Sequence, residues 1–208
     1  MAKSIDGISL KSLLAKIRHS FKKYNFDISL KTKRMLSLLE NEFYVNAYYD
    51  QEADRHFETA IEVHVLHNIN PNLTFEFNQL SQFVVQIYDA VVHELRHQYQ
   101  SRRRNYKPNP YTVNYNCSYS YLSDPDEIDA YSLSISIELI RNLGKERAIT
   151  YLHRASRLAK IRPKGLFPSP ALFAYFDEFG DTSNPVIQVL VKKVYLNLQA
   201  LDKSAIFY

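Results

Sequence analysis

Apolar residues recur along this chain with two different periods. Spacings of three and four over 8–23 and 79–103 predict an amphipathic helix in each segment. In the longer one, the expected core-facing stripe is Leu80, Val84, Ile87, Val91 and Leu95. Similar patterns predict a short helix over Lys31–Glu40 and a longer one over 126–142, which Gly144 ends. Further helices are expected over 145–160, just after 170, and from 184 onwards.

Two segments change to a period of two. In 43–49 and 57–65 every second residue is apolar or β-branched, and aromatic residues are frequent. This alternation predicts two strands, paired antiparallel and joined through 50–56. Residues 73–77 have the composition of a third, short strand.

The predicted fold class is therefore α+β. We expect a small antiparallel sheet of two to three strands, packed on the helix over 79–103 and followed by a mostly helical C-terminal half. The predicted organisation is one domain over 1–208, with N-terminal helices in 1–41, the sheet and central helices in 42–143, and a helical lobe in 144–208. Irregular segments are expected at 105–123 and 162–170.

Composition narrows the class of protein. The single cysteine, Cys117, excludes an intramolecular disulfide and a cysteine-rich zinc site. The N-terminal segment is unlike a secretory signal, and no window approaches the roughly eighteen uninterrupted apolar residues of a membrane span. We therefore expect a cytoplasmic protein, or a virion component assembled there, without a membrane partner.

The net charge is +4, with basic residues concentrated in the first 34 positions and at Arg102–Arg104. Such tracts suit a weak contact with nucleic acid. The alternative is a solvated face plus cations that complement a helix C-terminus.

The residues that carry chemistry are His93-Glu94-Leu95-Arg96-His97, within the helix over 79–103. On a helix His93 and His97 lie on one face, one turn apart, and can bind one zinc ion. Glu94 lies about 100° round the axis, within reach of water at that site, where it can act as a general base. The alternative is a surface helix whose polar residues bind nothing.

A catalytic zinc needs a third protein ligand. The next histidine after the motif is His153, so a histidine soon after the helix, as in metzincins, is absent. Glu127, at the start of the next predicted helix, is the expected ligand, with Asp126 and Asp129 as alternatives. Glu127 has a competing role, because Asp124 as N-cap and Glu127 three residues later also match a capping box.

The HELRH motif, followed by Glu127 and Ala130 in an E-x-x-A arrangement, resembles the ImmA/IrrE-type gluzincins, over about 43–140. Arg96 stands where that family has a small residue. The resemblance implies a zincin fold and a zinc-dependent metallopeptidase, with Zn²⁺ held by His93, His97 and Glu127 and with Glu94 as general base. A protein or peptide substrate would lie along the edge strand of the sheet. Tyr131, one turn after Glu127, and His153 are candidates to stabilise the oxyanion.

Two other functions fit the same residues. One is a catalytically inactive binding or assembly module with the zincin fold, of a kind that a virus could encode. The other is a DNA-associated protease, since SprT-like proteins also carry H-E-x-x-H, although with a histidine as third ligand. The residues predict neither the cleavage specificity nor the oligomeric state.

Overall fold

The structure is a computed structural model and describes residues 7–70, 74–110, 117–158 and 168–201. The chain divides into two compact units, Met1–Tyr106 and Lys107–Tyr208. The α+β class is confirmed: in the described residues the first unit contains five strands and three helices, and the second contains five helices. The single-domain organisation stays a prediction.

The first unit is built around a three-stranded sheet. Its elements are β1 (Ile8–Ser9), α1 (Leu10–Lys23), β2 (Ile28–Arg34), β3 (Phe43–Tyr49), α2 (Gln51–Arg55), β4 (Ile61–His67), β5 (Thr74–Phe75) and α3 (Phe77–Arg103). The strand order is β2-β4-β3. The predicted antiparallel pair is confirmed as β3 and β4, while β2 joins β4 in parallel, so the sheet is mixed.

Two expectations for the first unit were wrong in detail. The helix predicted over Lys31–Glu40 is wrong, because residues 28–34 form β2, in which Leu30 is buried opposite Val63. The pairing with β4 outweighs the local helical pattern. The short strand expected at 73–77 exists as β5, but it pairs with β1 and forms a separate two-stranded ladder.

The core of the first unit lies between the sheet and the helices α1 and α3. It contains Leu13 and Leu14 of α1, Leu30, Val63 and Val65 of the sheet, and Phe83, Ile87 and Val91 of α3. The stripe predicted on α3 is confirmed at Ile87 and Val91, with Leu80 and Leu95 partly buried. The prediction that Val84 faces the core is wrong, because its side chain is 42% exposed. The fully buried Phe83 packs instead against the rings of Phe43 and Phe75.

The second unit is helical, as predicted. Its helices are α4 (Ser118–Leu122), α5 (Pro125–Leu143), α6 (Lys145–Leu158), α7 (Pro170–Phe179) and α8 (Pro185–Ala200). Gly144 follows α5 with a φ of 76°, a conformation that favours glycine at a helix end. The predicted irregular segment at 105–123 contains α4, and residues 111–116 and 159–167 lie outside the described part of the chain.

A buried carboxylate joins α2 to the C-terminal turns of α3. Asp54, only 4% exposed, accepts two hydrogen bonds from the Arg102 guanidinium, at 2.9 and 2.6 Å. It also accepts from the amide of Gln98 at 2.9 Å and the hydroxyl of Tyr49 at 3.0 Å. Burial alone would raise the pKa of Asp54, but the bonds from Arg102, Tyr49 and Gln98 outweigh it and lower that pKa. We call these four residues the Asp54 clamp.

We expect Asp54→Ala to lower the free energy of unfolding by about 1–3 kcal/mol at neutral pH, because it leaves the partly buried donors of Tyr49 and Gln98 without their acceptor. Glu52→Ala, in the same helix α2, is the control: it removes the exposed pair with Arg55 at 3.9 Å, for which we expect a loss below about 1 kcal/mol. Urea unfolding of both variants measures the difference. Because the folded-state pKa of Asp54 is lowered, its contribution is complete above the unfolded pKa of about 3.9 and disappears as the pH falls through the folded value. Equal losses of unfolding free energy in the two variants would contradict the stabilising role of the Asp54 clamp.

Candidate metal site

The helix α3 presents the HELRH motif from a position fixed at both ends. Its N-terminus has a capping box, in which Glu76 and Gln79 satisfy each other's backbone amide. Its last turn carries Arg102 and Arg103, cations that suit the negative end of the helix dipole. Because one face of α3 is buried against the sheet, the direction of each motif side chain follows from its place on the helix.

His93 and His97 direct one nitrogen each toward the same point. Their Nε2 atoms lie 3.1 Å apart, and their ring centroids are 4.8 Å apart with an interplanar angle of 78°. Two imidazole nitrogens at about 2.0–2.1 Å from one tetrahedral zinc are separated by about 3.3 Å. The pair therefore has the separation that chelation of one zinc ion requires.

A buried amide sets the tautomer of His97. The Nδ1 of His97 lies 3.0 Å from the side-chain oxygen of Gln100, which is 7% exposed. An amide oxygen can only accept, so Nδ1 carries the proton and Nε2 keeps its lone pair. This is how orienting groups around a metal site prepare a histidine ligand. Gln100 was absent from the sequence prediction, although its position three residues after His97 places it on the same side of the helix.

Glu94 is buried within the motif. Its side chain is 8% exposed, whereas His93 and His97 are half-buried. A carboxylate shielded from bulk water interacts more strongly with a nearby proton donor than an exposed one does. Glu94 therefore has the shielding that suits a general base.

In the second unit, Glu127 lies in the first turn of α5 and is 7% exposed. The cap of this helix is Asp124, whose carboxylate accepts from the backbone amide of Asp126 at 2.7 Å. The backbone amide of Asp124 already donates to the carbonyl of Tyr121 at 3.1 Å. The amide that a capping box would pair with Glu127 thus already has a backbone partner, and the choice between the capping and ligand roles of Glu127 stays open.

The Glu127 carboxylate instead has a tyrosine partner. Tyr121 of α4 makes side-chain hydrogen bonds with Glu127 and with Tyr131. Burial, followed by these neighbours, raises the pKa of Tyr121 far above its ordinary value, so its hydroxyl keeps its proton. The sequence prediction missed Tyr121, because it lies in a tyrosine-rich segment without helical or strand periodicity.

The two predicted oxyanion donors lie in different surroundings. Tyr131 is partly buried, with its ring 6.4 Å from that of Tyr121 and 5.5 Å from that of Tyr175. His153 is exposed on α6, where its ring lies 5.5 Å from that of Tyr195 beside a cavity of about 390 Å³. The catalytic role of His153 stays a prediction, and its contacts in the second unit are those of a surface histidine.

Glu127, the third ligand expected from the sequence, belongs to the second unit, and its part in a metal site with His93 and His97 stays a prediction. Asp129, one of the alternative ligands, accepts instead from the Lys193 ammonium at 2.6 Å. Two imidazoles and one carboxylate are a donor set that zinc accepts in catalytic sites.

No protein-family model, curated protein or solved structure matches this chain. The function proposed below therefore derives from the residues and geometry of the chain alone. Separately, every helix in the described part of the chain is too short or too polar to cross a lipid bilayer.

We expect Gln100→Met to weaken zinc binding by about 10- to 100-fold, because His97 loses the acceptor that fixes its tautomer. Gln86→Met, at an exposed position of the same helix, is the control and should bind zinc as the wild type does. Competition with a chromophoric chelator measures both affinities. An unchanged affinity in Gln100→Met would show that the amide does not orient the ligand.

Proposed function

We propose that this chain is a zinc-dependent metallopeptidase in which His93, His97 and Glu127 hold the metal. The observation that carries the proposal is the 3.1 Å separation of the two Nε2 atoms on one helix, with buried Glu94 beside the first histidine. The two Nε2 atoms are also within hydrogen-bond distance of each other, so the oriented ring of His97 and the buried Glu94 carboxylate are the features that favour a metal site over a simple histidine pair.

The donor set decides which chemistry is available. Zinc, when bound, supplies a Lewis acid that polarises a carbonyl and lowers the pKa of water to about 7. Three protein ligands leave one position open for substrate or water, which distinguishes a catalytic site from a closed structural one. Cys117 lies exposed outside this group of ligands, so the site is one of nitrogen and oxygen donors.

Glu94 has the proton-transfer role. As a general base it takes a proton from the attacking water, and as a general acid it delivers that proton to the leaving amine. Its position next to His93 places it beside the ligands and not among them. Its burial keeps bulk water from competing for the proton.

The edge strand β3 offers a binding position for the substrate. In the described sheet β3 pairs only with β4, so its other side carries free backbone donors and acceptors. It packs directly on the metal-binding helix, since the ring of Phe43 lies 5.0 Å from that of Phe83. An extended peptide can add to such an edge by backbone hydrogen bonds, which favours peptides over other substrates.

We expect Glu94→Gln to bind zinc like the wild type and to lose cleavage by about 10²- to 10⁴-fold, because the proton acceptor is gone while the ligands remain. Glu58→Gln, an exposed glutamate of the same unit, is the control and should cleave normally. The measurement is mass spectrometry of a mixture of unstructured peptides after incubation with each zinc-loaded variant. Full activity in Glu94→Gln would refute the assigned mechanism.

The same experiment separates the peptidase from the binding module. A wild-type protein that binds zinc tightly and cleaves no peptide in the mixture would favour the inactive module. Nucleic-acid contact through the basic tracts is the weaker alternative, because Arg102 is engaged by Asp54 and Lys31 by Glu62, which neutralises part of the charge.

We expect Glu127→Ala to weaken zinc binding by more than about 100-fold, because a ligand contributes more than the groups that orient it. Asp126→Ala is the matched control at the neighbouring position and should bind zinc normally. Isothermal titration with zinc measures both. A Glu127→Ala protein with lower thermal stability and unchanged zinc affinity would assign Glu127 to helix stabilisation instead.

A further inference from the structure

The cavity of about 390 Å³ beside His153 belongs to the second unit and lies between α6 and α8. Side chains of both helices line it, together with Thr182 from the segment between α7 and α8. Lys145 donates to the carbonyls of Gln199 and Leu201 at 2.9 and 2.8 Å, so the start of α6 lies beside the end of α8. A cavity of a few hundred Å³ is in the range of pockets that bind small molecules.

Aliphatic and aromatic side chains form one part of the cavity lining. Leu152 of α6, only 3% exposed, and Val191 of α8 pack in the core of the second unit and also line the cavity. The rings of His153 and Tyr195 lie 5.5 Å apart at an interplanar angle of 58° and add an aromatic wall. A ligand with an apolar body gains free energy by displacing water from these surfaces.

The cavity lining contains a lysine and no carboxylate among the described residues. Lys192 is exposed, and in the described part of the chain its ammonium has no ion-pair partner. The next residue differs, because Lys193 binds the Asp129 carboxylate at 2.6 Å. A negatively charged group at the cavity mouth would therefore be attracted by Lys192 without repulsion from a carboxylate in the lining.

Neutral donors stand near this lysine. The hydroxyl of Tyr195 accepts from the side-chain amide of Gln199 at 2.9 Å, so the proton of that hydroxyl can be donated to a ligand. The side-chain amide of Gln188 donates to the carbonyl of Thr182 at 3.0 Å, which ties the first turns of α8 to the preceding segment. The rim of the cavity is thus held in place and offers hydrogen-bond donors to an anion.

We propose that this cavity binds a small molecule that has an apolar body and one anionic head group, a carboxylate or a phosphate. The apolar body lies against Leu152, Val191 and the two rings, and the head group pairs with Lys192. The second unit alone forms this site, so the inference goes beyond the proposed function and does not depend on the metal chemistry.

Isothermal titration with decanoate, decyl phosphate and decanol tests the proposal, because these probes share an apolar chain and differ in their head groups. We expect an anionic probe to bind with one molecule per chain and more tightly than decanol. Lys192→Met keeps the apolar stem of the side chain and should weaken anion binding by about 2- to 5-fold, with decanol unaffected. Lys192→Arg should restore the anion affinity. Arg154→Met is the matched control: it removes an exposed cation of α6 outside the cavity lining and should match the wild type.

Backbone amide shifts of the isotope-labelled protein locate the bound probe. The largest shifts should fall in α6 and α8, around Leu152 and Val191. Val191→Phe, which fills the cavity, should abolish binding, and the amide shifts give the location even if that variant does not fold. Binding of only one of the two anionic probes would identify the head group as carboxylate or phosphate. Equal wild-type affinity for all three probes, equal weakening in Lys192→Met and Arg154→Met, largest shifts in the first unit, or no binding of any probe would each overturn the proposal.

Discussion

The packing of α3 against the sheet is the constraint on which the candidate site depends. Phe83, Ile87 and Val91 bury one face of the helix in the core of the first unit, against the sheet, and this fixes its rotation about its own axis. If the buried face of α3 shifted by one residue, every side chain would turn by about 100° about the helix axis, and the HELRH motif would point in another direction. The direction in which His93 and His97 point is therefore a consequence of hydrophobic burial on the opposite side of the same helix, whereas their convergence follows from their spacing of four residues. The Asp54 clamp acts on the following turns and resists the same movement.

Around the ligands, the chain uses neutral hydrogen-bonding groups. Gln100 presents an oxygen to His97, and Tyr121 presents a hydroxyl to Glu127. A neutral partner orients a side chain without adding charge, so in the proposed site the net charge would be set by the metal ion and its one carboxylate ligand. In both cases the partner is nearby in sequence, three residues after His97 and six before Glu127. In the proposed metal site, small changes in α3 or α4 would therefore alter metal affinity.

Features set by local periodicity could be predicted from the sequence, and features set by tertiary pairing could not. The long helix and the histidine pair follow from residues three and four apart, so both could be found in advance. Strand β2 was missed because its alternation is short and its partner, β4, lies far along the chain. The bond from the Asp124 amide to the carbonyl of Tyr121 bears on the capping role of Glu127, and no residue pattern specifies it. Tyr121 itself depends on how α4 meets α5, so only the fold reveals it.

The central claim is that two imidazoles and one carboxylate hold a zinc ion, and X-ray absorption at the zinc edge of the zinc-loaded protein tests it most directly. The account predicts a first shell of nitrogen and oxygen at about 2.0–2.2 Å, with the outer-shell scattering of two imidazole rings. In Glu127→Ala the two imidazoles should remain while the carboxylate contribution disappears. A sulfur neighbour at about 2.3 Å, or a shell with fewer than two imidazoles, would contradict the account.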